Sequence, residues 1–275
     1  MAAASQPYPP AEHMLRDLRL EIWRRDNGVE VRGPAVPELH SRAGAVGAAA
    51  LGVAVDVIGG NLSLRAVQPD WCVTSALNLH LLRPLTRDFE VTGAPLRAGA
   101  TQVVLDVEVS DGDRAAGPCA VASLAFTRIS RRANTMPFVQ AAAERFTFAD
   151  GGSRLRAPFL AQIGCRVLDA ETGAVELPVS DYVRNSVGAL QGGAVVALVD
   201  AAAESVASAR MVEGTATQDL QLHFLALGRV GPVRSRTRWL AGSPREARLR
   251  VELVDAGQGD RLMAVAVVRL ARFAA

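Results

Sequence analysis

The sequence predicts an α+β protein in which an antiparallel sheet wrapped around one long helix occurs twice in a single chain. The first observation is a repeat: Asp56 and Asp200 lie 144 residues apart, and segment 77–82 returns as segment 220–225 at an offset of 143. The second is a shared order in both halves: two strand-like runs, a long apolar run and four more strand-like runs. Shared order and a nearly constant offset indicate a tandem duplication. One such sheet leaves an unpaired edge, and two copies can pair edge to edge.

The first half is divided into elements by its periodicity and its turn residues. Residues 18–22 alternate apolar and charged side chains, which is the period of a strand. Asn27 and Gly28 form a hairpin-turn dipeptide, so a second strand is expected directly after them. A run of Ala, Gly and Val predicts a helix over 43–60 that ends at the glycine pair 59–60. Four strand-like runs follow at 72–82, 89–96, 101–109 and 119–129.

The second half repeats these elements, with a polar loop and an apolar helix over 185–210. Strand-like runs precede and follow this helix at 163–168, 174–179, 215–225, 233–240, 247–254 and 262–270. The pattern predicts a terminal arm over 1–14, a first module over 15–132, a linker over 133–158 and a second module over 159–275.

Composition excludes several classes of protein. The net charge is +2 and the isoelectric point about 8.7, which is too mild to indicate a nucleic-acid partner. Hydrophobic residues make up 49% of the chain, which is ample for a core. The three cysteines are odd in number and widely spaced, which favours reduced thiols over a disulfide frame or a metal site. They are Cys72, Cys119 and Cys165.

The N-terminal sequence and the longest apolar run bear on location. Residues 1–14 lack the charged and apolar regions of a signal peptide, so a cytoplasmic protein is expected. The run 43–64 approaches the length of a membrane span but contains Asp56 and many Ala and Gly residues. A buried helix of a soluble protein is therefore expected there, and no membrane span.

The stretch 185–204 carries the chemistry. Its residues 194–199 are all apolar, so the helix that they predict is expected to be buried. Asp200 and Glu204 share one face of that helix, and a buried carboxylate is costly unless it is hydrogen-bonded or used. The helix is expected to begin near Gly192, where free N–H groups and the helix dipole favour a negatively charged oxygen. Together these features can polarise a carbonyl group and attack it.

This stretch resembles the active-site segment of the hotdog-fold acyl-CoA thioesterases, in particular the PaaI-like and 4-hydroxybenzoyl-CoA thioesterase-like branch. The resemblance implies a double hotdog whose substrate is an acyl-CoA, with no cofactor beyond the coenzyme A of the substrate and no metal. It also implies a homo-oligomer of such chains. The family often has His where this chain has Gln191, which keeps a hydrogen-bond donor but removes a titratable group. The residues that carry the resemblance are Asn185, Gln191, Gly192, Gly193 and Asp200.

The resemblance also implies roles for these residues. The thioester carbonyl is expected to lie against the Gly192 N–H, and Asp200, reaching across the interface between the modules, is expected to act as base or nucleophile. Asn185 and Gln191 complete the expected catalytic group. Four further residues are expected to contact the substrate, with Glu204 at the rim: Gly193, Glu204, Thr217 and Asp56.

The first half is expected to hold a degenerate site. Residues 47–49 (Gly-Ala-Ala) stand where 191–193 (Gln-Gly-Gly) stand in the repeat, and Ser41 stands where Asn185 does. Asp56 is present, but a Cβ on each Ala would crowd a carbonyl group that approaches the backbone. We therefore interpret the first half as a wall and partner of the site.

Other interpretations stay open. A mid-helix Asp such as Asp200 is more often a solvated carboxylate, and a glycine pair can be only a tight entry to a helix. A non-catalytic acyl-CoA-binding or assembly protein would keep the fold without the chemistry. A hotdog enoyl-CoA hydratase is a third interpretation, although 181–210 contains no His. The chain has no Gly-x-Ser-x-Gly, phosphate-loop or dinucleotide motif.

Overall fold

The computed structural model describes residues 8–25, 28–113, 115–130 and 144–273. Within these ranges the chain forms one 13-stranded antiparallel sheet and two long helices. The first half contains α1 (Met14–Asp17), β1 (Glu21–Arg25), β2 (Gly28–Gly33), α2 (Ala48–Val67), β3 (Trp71–Leu81), β4 (Phe89–Ala98), β5 (Gln102–Ser110), β6 (Ala120–Ile129) and β7 (Glu144–Thr147). The second half contains α3 (Phe159–Gln162), β8 (Arg166–Asp169), β9 (Ala174–Leu177), α4 (Gly192–Arg210), β10 (Ala216–Phe224), β11 (Val233–Ser243), β12 (Glu246–Asp255) and β13 (Arg261–Ala271). Short 3-10 turns lie at Pro37–Leu39, Asp181–Val183 and Ala256–Gln258.

The two halves join at the middle of the sheet. The strands lie in the order β7-β1-β2-β4-β5-β6-β3-β10-β13-β12-β11-β9-β8. Strands β3 and β10 pair antiparallel, with Leu79 opposite Leu220, and the Nδ1 of His80 lies 2.7 Å from the Oδ1 of Asp219 across this pair. The predicted architecture, two sheets around helices paired edge to edge, is confirmed.

The two long helices pack against each other under the sheet. Gly52 of α2 meets Val196 of α4, and these residues hold the same position of the repeat, 144 residues apart. A Cβ at Gly52 would overlap the Val196 side chain, so the glycine permits the close crossing. Both helices are long and apolar enough to cross a membrane, but 72% and 83% of their apolar windows are buried in this fold. Their length is therefore weak evidence for a membrane span.

Helix α2 differs from the predicted helix at both ends. It begins at Ala48 and not at residue 43, because Gly44 has a φ of +72° in a loop that precedes it. It continues through the glycine pair 59–60 to Val67. A Cβ at Gly59 would lie 2.8 Å from the Phe126 ring of β6, so this glycine permits helix–sheet contact and does not end the helix.

Two segments outside the repeat pack closely on it. Part of the expected arm packs into the fold: His13 and Met14 are fully buried, and His13 Nε2 donates to the Arg184 carbonyl at 2.8 Å. Within the expected linker, residues 144–147 form β7, which pairs with β1. Residues 1–7 and 131–143, and the turn residue Asn27, lie outside the described part of the chain.

Candidate active site

Each long helix directs its aspartate at the beginning of the other helix. Asp56 of α2 faces the first turn of α4, where its Oδ2 accepts a hydrogen bond from Gln191 Nε2 at 2.7 Å. Asp200 of α4 faces the first turn of α2, where its Oδ2 accepts from the Ala49 N–H at 2.9 Å. This reciprocal arrangement follows from the antiparallel crossing of the two helices at Gly52 and Val196.

The expected pairing of Asp200 with Gly192 is therefore wrong. Both residues belong to α4, and eight residues of helix separate them by about 12 Å at 1.5 Å per residue. The carboxylate that meets the Gly192 end of α4 is Asp56: a Cβ built at Gly192 would lie 2.6 Å from Asp56 Oδ1. The Gln-Gly-Gly loop of the second half thus lies against the aspartate of the first half.

Asp56 is a buried carboxylate with specific hydrogen-bond donors. Its side chain is 7% exposed, and its Oδ1 accepts from Thr74 Oγ1 at 2.7 Å. Burial raises the pKa of Asp56 to about 6, against the hydrogen bonds from Thr74, the Gly193 N–H and Gln191, which lower it. The carboxylate is therefore ionised at neutral pH with a pKa close to that pH, as a general base requires.

Gln191 is the N-cap of α4, and its two hydrogen bonds fix the orientation of its side-chain amide. Its Oε1 accepts from the Ala194 N–H at 3.0 Å, which caps the helix. Its amide NH₂ group therefore points to Asp56, as the 2.7 Å contact shows. Gln191 is thus a hydrogen-bond donor to the carboxylate.

A cavity of about 510 Å³ opens beside Asp56, Gln191 and Gly192. Asn185 also lines it, although its Oδ1 is occupied by the N–H groups of Val187 and Ala189 at 3.1 and 3.0 Å and so fixes the loop. Aliphatic side chains of both modules form much of its wall, together with six of the chain's eight Phe, three Trp and two Tyr residues. These are Tyr8, Trp71, Phe126, Phe146, Phe148 and Phe224.

Gly193 has a packing role and does not line this cavity. A Cβ built at Gly193 would lie 2.5 Å from the Cα of Val53 in α2. Gly193 is needed for the close approach of the two helices, while Gly192 lets the Asp56 carboxylate lie against the first turn of α4. The structure therefore separates the two glycines that the sequence treats as one motif.

The Asp200 side of the molecule is closed. Asp200 is 2% exposed and does not line the cavity beside Asp56. Glu204, expected at the rim, is only 8% exposed, and its Oε1 accepts from the Thr217 N–H at 3.1 Å. Burial raises the pKa of Asp200 to about 6, and burial together with the charge of Asp200 raises that of Glu204 to about 8. The Thr217 side chain lies near Asp200 and lowers its pKa.

Residues at matching repeat positions explain why one side is open and the other closed. Gly60 lines the cavity, and nothing lies within 4 Å of a Cβ built on it. Glu204 stands 144 residues later, where its buried carboxylate lies close to Asp200 and accepts from the Thr217 N–H. Arg42 stands at the position of Ser186, donates to the Thr215 carbonyl at 3.5 Å and lies close to Glu204. The exchange of Gly60 for Glu204 is the signal in the sequence that could have located the open site.

Thr74 is a site residue that the sequence analysis missed. Thr74 corresponds to Thr217, the residue expected to contact the substrate, at an offset of 143. The hydroxyl group that bonds to the carboxylate in the open cavity is that of Thr74. In the described part of the chain, no group of three or more His, Cys, Asp or Glu residues could hold a metal ion.

Solved structures share the fold of this protein over nearly the whole chain. A protein of Alicyclobacillus acidocaldarius described as having a hot dog fold matches with a TM-score of 0.59, 13% identity and coverage of 92% of this chain and 96% of that one. The tesB protein of Mycobacterium avium subs paratuberculosis matches with a TM-score of 0.60, 12% identity and coverage of 94% and 97%. The chain is a double hotdog. An acyl-ACP thioesterase of Bacteroides thetaiotaomicron matches this double hotdog with a TM-score of 0.58, 12% identity and coverage of 88% and 96%.

Sequence comparison adds one curated relative. The protein named "Putative esterase SSO2140" from Saccharolobus solfataricus is 26% identical to the double hotdog over 123 residues, which are 44% of this chain and 88% of that one. No protein-family model matches the chain. At these identities the likeness to the solved structures shows the fold alone.

Proposed function

We propose that this double hotdog is a thioesterase that hydrolyses an acyl-coenzyme A to the free acid and coenzyme A. One observation carries the proposal: an ionisable, buried carboxylate, Asp56, lies directly against the first turn of α4 in the wall of a largely apolar cavity. The proposal moves the role of base from Asp200 to Asp56, because only Asp56 lies in the cavity with Gly192.

The first turn of α4 polarises the thioester carbonyl. The first N–H groups of a helix have no acceptor within the helix and lie at the positive end of its dipole. Gly192 has no Cβ, so the Asp56 carboxylate can lie directly against this turn, and Gly192 lines the cavity from which a carbonyl oxygen would approach its N–H. A donor of this kind stabilises the negative oxygen of a tetrahedral intermediate and typically contributes about 10²–10³ in rate.

Asp56 activates the attacking water. Its ionised carboxylate removes a proton from water while the oxygen of that water bonds to the thioester carbon. Collapse of the tetrahedral intermediate breaks the C–S bond, and the proton held by Asp56 passes to the departing thiolate. Thr74 and Gln191 fix the carboxylate with hydrogen bonds of 2.7 Å each, so little reorganisation is needed during the reaction.

The names of the relatives give weaker support. The Bacteroides protein is named as an acyl-ACP thioesterase, the Mycobacterium protein as tesB and the Saccharolobus protein as an esterase. No His lines the cavity in the described part of the chain, so nothing there favours the hydratase interpretation. The cytoplasmic location and the association into homo-oligomers stay predictions.

A thiol-release assay over a panel of acyl-CoA substrates tests the proposal. Asp56→Asn keeps the size of the side chain, and we expect it to reduce kcat/KM at least about 100-fold. Asp200→Asn is the matched control, because it makes the same change at the same repeat position in the closed site. Full turnover by Asp56→Asn would overturn the proposal. Binding of acyl-CoA without thiol release would instead favour the non-catalytic interpretation.

A further inference from the structure

The cavity follows one face of α2 away from Asp56. Asp56, Gly60 and Leu64 are spaced four apart along this face, and all three line the cavity. Val57 and Asn61 line it from the adjoining row. An acyl group whose carbonyl lies in the cavity beside Asp56 and Gly192 can therefore extend along the helix toward Asn61 and Leu64.

A polar cluster lies part-way along this path. Arg24 of β1 donates two hydrogen bonds to Asn61 Oδ1, from Nη2 at 2.8 Å and from Nε at 3.2 Å. Its Nη1 lies 3.2 Å from Glu144 Oε2, and its guanidinium lies 4.5 Å from the centre of the Phe146 ring. Arg24, Asn61, Glu144 and Phe146 all line the cavity.

The three polar groups of this cluster are exposed to different extents. The Arg24 side chain is only 15% exposed, whereas that of Glu144 is 41% exposed. Asn61 is fixed, because its Nδ2 donates to the Val57 carbonyl at 2.9 Å. A ligand can therefore displace Glu144 into water at little cost, while Arg24 and Asn61 keep their positions.

The hydrogen-bonding groups of the cluster indicate which part of a ligand could bind there. A guanidinium carries hydrogen-bond donors only, so the group that takes the place of Glu144 must be an oxygen acceptor. Asn61 lies five residues after Asp56, which is about 7.5 Å along the helix axis. This length is roughly the reach of a six-carbon chain with bonds of about 1.5 Å.

We infer that the cavity takes an acyl thioester whose acyl group carries an oxygen about six carbons from the thioester carbonyl, and that Arg24 recognises this oxygen. The inference rests on the proposed thioesterase function and names its substrate class. Arg24 is a specificity-determining residue in this account and takes no part in bond breaking.

Three substrates of nearly equal size test the inference in the thiol-release assay. They are hexanoyl-CoA, 6-hydroxyhexanoyl-CoA and 3-hydroxyhexanoyl-CoA. For the unaltered protein we expect kcat/KM to be roughly tenfold higher for the 6-hydroxy compound than for hexanoyl-CoA, the size of one hydrogen bond to a charged group. The 3-hydroxy compound has the same atoms with the hydroxyl far from Arg24, and it should show no such gain.

Two variants, Arg24→Met and its matched control Arg25→Met, test whether Arg24 causes the preference for the 6-hydroxy substrate. Arg25 is the next residue of the same strand, with a 55% exposed side chain that pairs with Glu30. We expect the tenfold ratio to disappear in Arg24→Met and to persist in Arg25→Met. An equal loss for all three substrates in Arg24→Met would place Arg24 against the coenzyme A arm and overturn the inference.

The unaltered protein alone can also decide the matter, whether or not Arg24→Met folds. Equal kcat/KM for hexanoyl-CoA and 6-hydroxyhexanoyl-CoA would overturn the inference and leave the proposed thioesterase function intact. Absence of thiol release from every acyl-CoA would instead overturn the proposed function itself.

Discussion

Gln191 donates a 2.7 Å hydrogen bond to Asp56 across the boundary between the two modules. The bond favours the charged form of Asp56, so its loss should raise the pKa of this carboxylate above about 6. We expect the acid limb of the kcat/KM profile to move to higher pH in Gln191→Ala, with activity at pH 6 falling more than activity at pH 8. Gln191→Ala also removes a helix cap, at a cost of about 1 kcal/mol in stability.

Gln191→Ser separates the two effects of that substitution. Serine caps a helix well but is too short to replace the donor to Asp56. We therefore expect Gln191→Ser to show the same shift of the acid limb with a smaller loss of Tm. An unshifted pH profile in both variants would mean that the hydrogen bond does not control the reacting group.

Gly60→Glu should close the open cavity by reproducing the closed side of the molecule. A Cβ at Gly60 meets nothing within 4 Å, so the backbone tolerates a side chain there, and a glutamate would occupy the acyl path. We expect loss of acyl-CoA binding in calorimetry with an unchanged circular dichroism spectrum. Gly60→Ala is the control and should bind, because one methyl group leaves most of the cavity free. Normal binding by Gly60→Glu would show that the acyl group lies elsewhere.

Gly192→Ala tests the approach to the backbone. The new Cβ would lie 2.6 Å from Asp56 Oδ1, so the carboxylate or the first turn of α4 must shift. We expect kcat/KM to fall by about 10²-fold, comparable to removal of one oxyanion donor. The reverse change in the closed site, Ala48→Gly, should leave kcat/KM unchanged within about twofold, and a similar loss there would indicate a general effect on the helices.

Glu204 should make stability depend on pH. Burial and the charge of Asp200 raise its pKa from 4.5 to about 8. In the folded chain Glu204 therefore keeps its proton over a pH range in which the unfolded chain has already released it. The free energy of unfolding consequently falls as the pH rises from about 4.5 to about 8. Glu204→Gln cannot ionise, so its Tm should fall less than that of the unaltered protein over this range. Each pKa unit corresponds to about 1.4 kcal/mol, so the difference in Tm should reach about 10 °C. Parallel Tm curves for the two proteins would contradict the account.

Much of the fold could be predicted from the sequence, because it is a local and repeated property. The constant offset between Asp56 and Asp200 and the alternation in the strand-like runs are enough to predict two sheet-around-helix modules. The ends of α2 were not predictable, since Gly59 serves contact with Phe126 and has the same sequence signature as a helix-ending glycine.

The candidate site could be predicted only in part, because it forms between distant segments. The loop with Gln191 and Gly192 was recognised, but the choice of Asp56 over Asp200 depends on how the two helices cross, which no local pattern records. The gathering of aromatic residues around the cavity could not be predicted either. Tyr8 and Phe148 come from segments outside the repeat, and an aromatic content of 5% does not indicate that these residues lie together in one cavity.

The crossing of α2 and α4 means that the two copies have divided one task between them. The first copy keeps the aspartate that lines the cavity and the open space at Gly60, while its own loop has Ala48 and Ala49 where the second copy has two glycines. The second copy keeps the loop, while its buried Glu204 lies close to its aspartate. In the proposed mechanism, a symmetric pair of either copy alone would lack one of the two parts, so hydrolysis requires both halves of the tandem.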